Sequence, residues 1–231
     1  HQLTGFHPAF GDVDRDGDLD MMVGDDIGGL HYFENTAAPN QALQLELHTF
    51  ELLTLVPNDY SAVPSFGDVN GDGLTDLLVG TAKGSIFYFR NFTPIEAEEP
   101  LFSIENQKWG DVSMREINFS RGSAAPIFTA LDDSNQPYLI VESEGGNLSL
   151  FTDLQNEAFT LITKNYSSIS EGGRGGLAIA DLDGDGFKDM LVGNRRGGVA
   201  LYSQSEMWDK IVEPKASQEA VIFPNPCSGN G

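Results

Sequence analysis

Apolar residues in this chain fall in short runs closed by glycine, and the runs come in pairs. Met21-Met22-Val23-Gly24, Leu77-Leu78-Val79-Gly80 and Met190-Leu191-Val192-Gly193 are too short for helices. Unbroken apolar runs of this length, bounded by turn residues, predict buried strands. A turn containing glycine follows, such as Ala82-Lys83-Gly84, and then a second run, most clearly Ser85-Ile86-Phe87-Tyr88-Phe89. Each pair predicts a β-hairpin. Leu101-Phe102-Ser103-Ile104 and Phe159-Thr160-Leu161-Ile162 predict outer strands in the connectors.

The segments ahead of the hairpins are equally regular. DVDRDGDLD (12–20), DVNGDGLTD (68–76) and DLDGDGFKD (181–189) share the pattern D-x-[DN]-x-D-G-x-x-D without insertion or deletion. Carboxylates crowded this tightly repel one another unless a cation sits among them. Calcium is a hard ion that takes oxygen ligands, and alternating side chains on a tight loop converge on one point. Glycine at the sixth position permits the sharp turn. This assigns Asp12, Asp14, Asp16 and Asp20 to a first site, Asp68, Asn70, Asp72 and Asp76 to a second, and Asp181, Asp183, Asp185 and Asp189 to a third. The carbonyls of Asp18, Leu74 and Phe187, at position seven, complete the shells. An EF-hand would need glutamate at position twelve and flanking helices. Position twelve is Val23, Val79 or Val192, and each loop leads into a strand.

Repeats with periods of roughly 40 to 60 residues mark blades or solenoid units. The second loop follows the first by one such period and the third follows the second by about two, which predicts a silent repeat whose loop begins near residues 125 to 130. Ser123-Ala124-Ala125-Pro126-Ile127-Phe128 matches Ser61-Ala62-Val63-Pro64-Ser65-Phe66 there, and Leu139-Ile140-Val141 with Leu148-Ser149-Leu150-Phe151 repeats the strand pair. The ligand positions have become Ala130, Asp132, Ser134 and Tyr138, so no metal is expected in that repeat.

Four units of strand, loop, strand, turn and strand describe an all-β chain, a β-propeller with four visible blades. Phe66-Gly67-Asp68, the aspartate loops and Asp76-Leu77-Leu78-Val79-Gly80 resemble the FG-GAP or VCBS repeats of integrin-α-like propellers, over residues 5 to about 203. The resemblance implies calcium in the three intact loops and a propeller that usually closes with seven blades. Missing blades would then lie upstream or in another chain, unless four blades close alone. Open edges would favour aggregation. The expected division is 1–206 for the blades, 207–219 for a linker, and 220–231 for a further segment. Ala220-Val221-Ile222-Phe223-Pro224-Asn225-Pro226, with the glycine turn after it, resembles the opening of the C-terminal sorting domain of type IX secretion cargo.

Charge narrows the partners. The formal net charge is −22 on 231 residues, and 40% hydrophobic content still provides for a core. So acidic a chain is not expected to bind nucleic acid or anionic membranes. No run of 18 apolar residues is present to span a bilayer. The one cysteine, Cys227, permits no internal disulfide, and calcium loops without disulfides fit a secreted or cell-surface bacterial protein.

Catalytic readings find little support. His31, on a strand beside Tyr32 and Phe33, reads as structural, and the clustered carboxylates are accounted for by metal. Gly172-Gly173-Arg174-Gly175-Gly176 lacks the Lys-Ser and helix of a phosphate cradle. Sequons at Asn91, Asn118, Asn147 and Asn165 matter only in a eukaryotic secretory route. The expectation is an extracellular, non-enzymatic, calcium-binding propeller for adhesion or recognition. Its partners would be a protein or glycan outside the cell, with secretion machinery at the C-terminus. The alternative is the propeller portion of an extracellular polysaccharide-degrading enzyme whose catalytic groups lie elsewhere.

Overall fold

The computed structural model describes residues 5–38, 41–48, 61–95, 97, 99–115, 122–131, 136–166, 176–193, 198–203 and 221–223. Among the described residues, sixteen strands form four antiparallel sheets of four. The first blade comprises β1 (His7–Gly11), β2 (Asp20–Gly24), β3 (Leu30–Asn35) and β4 (Leu45–His48), paired in that order. The second is β5 (Ala62–Gly67), β6 (Asp76–Thr81), β7 (Ile86–Asn91) and β8 (Phe102–Asn106). Blade three contains β9 (Ala124–Ala130), β10 (Pro137–Ser143), β11 (Leu148–Thr152) and β12 (Thr160–Thr163). The fourth contains β13 (Leu177–Ala180), β14 (Asp189–Gly193), β15 (Val199–Tyr202) and β16 (Val221–Phe223). This is a four-bladed β-propeller arrangement.

Strand periodicity explains how the blades stack. Successive side chains on a strand point to opposite faces. In β6, Leu77 and Val79 face blade one with Phe87 and Phe89, while Leu78 faces blade three with Ile86 and Tyr88. In β10, Leu139 and Val141 turn back to blade two, and Ile140 joins Leu148, Leu150, Met190 and Val192 toward blade four. Because both faces are covered, the middle strands read as continuous apolar runs instead of alternating ones.

Glycine ends these strands for a steric reason. A Cβ on Gly24 would lie 2.0 Å from the Ala62 carbonyl oxygen, and one on Gly80 would lie 1.9 Å from that of Ala124. Backbones of neighbouring blades therefore meet at these two positions. Main-chain bonds fasten the same corner, with Ala62 N donating to Asp25 O at 2.9 Å and Gly122 N to Ala82 O at 2.8 Å.

Three features go beyond the sequence-based expectation. β1 and β4 complete the first blade, so it draws its outer strand from the segment after β3 and needs none ahead of the first loop. The apolar segment before Pro224 is β16, hydrogen-bonded to β15 with Ala200 opposite Ile222. The fourth sheet thus extends past the boundary drawn at 206. Asn91 is fully buried, which rules out its sequon as a glycan acceptor in the folded chain. The linker 207–219, residues 171–175, Asn118 and Cys227 lie outside the described residues. Among the described residues, no helix is long and apolar enough to cross a membrane.

Candidate metal centre

Three loops join the first two strands of blades one, two and four, and each is shaped by its own aspartates. The position-one side chain accepts from the backbone behind it: Arg15 N to Asp12 Oδ1 at 2.8 Å, Gly71 N to Asp68 Oδ1 at 2.8 Å, and Gly184 N to Asp181 Oδ1 at 2.7 Å. Position three accepts from position five, in Asp14, Asn70 and Asp183. Position five accepts from position seven, so that Asp16, Asp72 and Asp185 bond Asp18 N, Leu74 N and Phe187 N. These are successive turns closed by aspartate or asparagine side chains onto backbone two residues on. Glycine at position six has φ of 96° at Gly17, 82° at Gly73 and 91° at Gly186, the left-handed region a side chain rarely enters. A Cβ there would meet nothing within 4 Å, so the requirement is conformational and not steric.

The result is a convergence of oxygens. One carboxylate oxygen from each of Asp12, Asp14 and Asp16 lies within 4.8 Å of the others, and Asp181, Asp183 and Asp185 converge equally. In the second loop Asn70 takes the middle place and donates to Asp72 Oδ2 at 3.0 Å. Arg90 reaches the same oxygen at 3.1 Å, so a cation from the chain already leans on this loop. Sequence reading missed Arg90, which stands on β7, eighteen residues from its partner.

Position nine is placed differently. Asp20, Asp76 and Asp189 are buried at the start of the second strand, turned toward the loop backbone. Val13 N, Val69 N and Leu182 N donate to them at 3.3, 3.1 and 2.9 Å. Asn35 N donates to Asp20 and Asn91 N to Asp76, and Tyr88 Oη–H adds a third bond to Asp76. These aspartates tie the loop to the blade. Asn91 extends the tie, donating from Nδ2 to Val13 O in the loop of blade one at 2.9 Å.

Burial sets the electrostatics. It pushes the Asp20 carboxyl up to about 6 despite the N–H donors from Asn35 and Val13. Burial, and then the charges of Asp16 and Asp12, raise Asp14 as well. Burial, and then the charges of Asp16 and Asp12, raise the Asp18 carboxyl despite a hydrogen bond from Asn35, an additional carboxylate that sequence reading used only for its carbonyl. An oxygen-only donor set, crowded and part-desolvated, suits a hard divalent cation.

In blade three, Tyr138 occupies the position-nine site and is buried among Leu131, Ile140 and Leu150. Ala130 ends β9, and Asp132 and Ser134 lie outside the described residues. His31 is engaged elsewhere: its Nε2 lies 3.0 Å from Asp25 Oδ2, and Asp25 also accepts from Ile27 N and Gly29 N. Burial opposes ionisation of Asp25, but the His31 contact and these N–H bonds prevail and hold its pKa below the usual carboxylate value. That group closes the β2–β3 turn.

A family model described as FG-GAP-like repeat matches residues 12–79 and 131–192, more than half of the chain. No curated protein matches it.

Proposed function

Since the chain belongs to the FG-GAP-like repeat family, a propeller fold of recognition type, we propose that it is a calcium-stabilised recognition module working outside the cell. The observation that carries this reading is the convergence of three carboxylates in each of two loops. Asp12, Asp14 and Asp16 would hold one ion, Asp68, Asn70 and Asp72 a second, and Asp181, Asp183 and Asp185 a third. The buried Asp20, Asp76 and Asp189 support those loops from the strand side. Calcium supplies positive charge where folding forces carboxylates together, and it fixes loops that a cytosolic chain, bathed in far less calcium, would leave strained.

The chain's own residues then act by presentation. Stacked blades hold the loop-bearing end rigid, and variable connectors offer the contact surface, as loops on rigid scaffolds commonly do. A net charge of −22 directs this surface toward neutral or basic partners, a protein or a glycan on a cell or matrix. Binding of the purified chain to an array of extracellular glycans and matrix proteins tests the reading. Retention that disappears on chelation supports it, and retention indifferent to calcium would overturn the calcium-dependent part.

Export through type IX secretion is read from Phe223-Pro224-Asn225-Pro226. It predicts that deleting residues from 224 onward, which spares β16, leaves the protein inside a type IX-competent host. Unchanged surface display after that deletion would refute it.

A further inference from the structure

Asn91 ends β7 and is fully buried, and its side chain reaches two of the aspartate loops at once. Nδ2 donates to Val13 O in the loop of blade one and to Thr75 O in the loop of blade two, both at 2.9 Å. Oδ1 accepts from Thr93 N at 2.9 Å and from the Thr93 hydroxyl. A side-chain amide has two donor hydrogens and two acceptor lone pairs, so this one is fully committed. Its partners also fix its orientation, because two carbonyls cannot face an oxygen.

The two carbonyls belong to the chain that carries the candidate ligands. Val13 stands between Asp12 and Asp14, with its own N–H held by Asp20. Thr75 stands between Leu74 and Asp76. One planar group thus sets the distance between a carbonyl of one loop and a carbonyl of the next. The junction of blades two and three is built differently. Phe89 lies opposite Leu77 and Phe151 opposite Leu139, which puts Asp153 in blade three where Asn91 stands in blade two. Asp153 is exposed, and a carboxylate has no N–H to give to a neighbouring loop. The loops of blades one and two also differ in charge. Asn70 supplies a neutral amide where blade one has Asp14, and Arg90 lies 3.1 Å from Asp72. The loop of blade two therefore has the weaker field for a cation and gains the most from a neighbour that holds it in shape.

We propose that Asn91 is a positioning residue that makes calcium uptake by the loops of blades one and two cooperative, while the loop of blade four fills independently. The inference rests on the calcium reading given above. Closing the loop of blade one fixes Val13 O, which fixes the Asn91 amide, which fixes Thr75 O between Leu74 and Asp76. The loop of blade two then has less ordering left to undergo, and a site already ordered binds more tightly. Linkage makes the effect equal in the two directions.

Nuclear magnetic resonance of the chelator-stripped chain during calcium titration tests this, with the amides of Gly17, Gly73 and Gly186 reporting one loop each. Gly17 and Gly73 should change together over a steep range, and Gly186 over its own. Asp16→Ala, which removes a ligand from the loop of blade one, should raise the calcium needed at Gly73 about tenfold, a typical coupling between linked sites, and leave Gly186 unmoved. In an Asn91→Ser background the same substitution should no longer move Gly73, since a serine hydroxyl cannot span both carbonyls. Should Asn91→Ser fail to fold, the Asn91 side-chain NH2 signal decides. It should shift when calcium fills the loop of blade two in Asp16→Ala, and again when calcium fills the loop of blade one in Asp72→Ala. A Gly73 midpoint indifferent to Asp16→Ala, an equal shift at Gly186, a shift that persists in folded Asn91→Ser, or an NH2 signal that answers to one loop only would overturn the coupling and leave the calcium reading standing. Silence at all three glycines would overturn both.

Discussion

Blades two and three share one frame and differ in what they carry on it. In both, the inner strand pairs in the same register, Phe66 opposite Leu77 and Phe128 opposite Leu139, and both central strands are buried on two faces. The difference begins at one strand position. Asp76 is buried there in blade two, holding Val69 N, Asn91 N and the Tyr88 hydroxyl, and the loop it anchors bends around Asp68, Asn70 and Asp72. Tyr138 fills the corresponding place in blade three with an apolar ring among Leu131 and Ile140. A blade therefore folds by packing between its neighbours, and the loop proposed to hold metal is added to that frame through a buried aspartate.

Withdrawing calcium should break this comparison most strongly. Binding to the native state alone stabilises by about RT ln(1 + [L]/Kd), roughly 2.7 kcal/mol per site at a hundredfold excess over Kd. Chelation should therefore lower the melting temperature by many degrees, read by calorimetry. An unmoved midpoint would contradict the role given to all three loops.

Asp76→Ala comes next, because it strands two backbone N–H groups and a hydroxyl in a buried place. About 3 kcal/mol should be lost even in chelator, since groups of this kind cost about 1–3 kcal/mol each when left unpaired and partly relax. Denaturant unfolding measures it, and a loss seen only with calcium present would mean that Asp76 serves the metal and not the blade.

Asp185→Ala should behave in the opposite way. Its carboxylate bonds only within its exposed loop, so in chelator the variant should match wild type, while in calcium it should lose about one site's share, roughly 2.7 kcal/mol. The smallest effect belongs to Asp132→Ala in blade three. Its melting midpoint should shift equally with calcium and with chelator, and a calcium-dependent shift would reveal a metal in the silent repeat.

Legibility from sequence followed the distance over which each feature is determined. The hairpins and aspartate loops were readable because strand burial and turn chemistry act within ten or so residues: Leu77-Leu78-Val79-Gly80 states its two-sided burial, and Gly17, Gly73 and Gly186 state their φ. β1 was legible only as the strand that opens each repeat, because its five residues include Pro8 and lie half in solvent. β4, Leu-Glu-Leu-His, alternates at an edge and looks like any connector. The dual allegiance of Asp20 and Asp76 was hidden for another reason. Their second donors, Asn35 N and Asn91 N, stand fifteen residues away, and a backbone N–H leaves no mark in sequence. Asn91 itself, reaching Val13 across the blade junction, becomes meaningful only once the blades are stacked. The pairing of β16 with β15 was equally remote, since it joins segments on either side of the predicted linker.

The central claim is that the loops of blades one, two and four bind calcium and that of blade three does not. Titration calorimetry of the chelator-stripped chain with calcium counts this directly. The account predicts three ions per chain, falling to two in Asp185→Ala and staying at three in Asp132→Ala. Saturation at four ions, or no uptake at millimolar calcium, would contradict it.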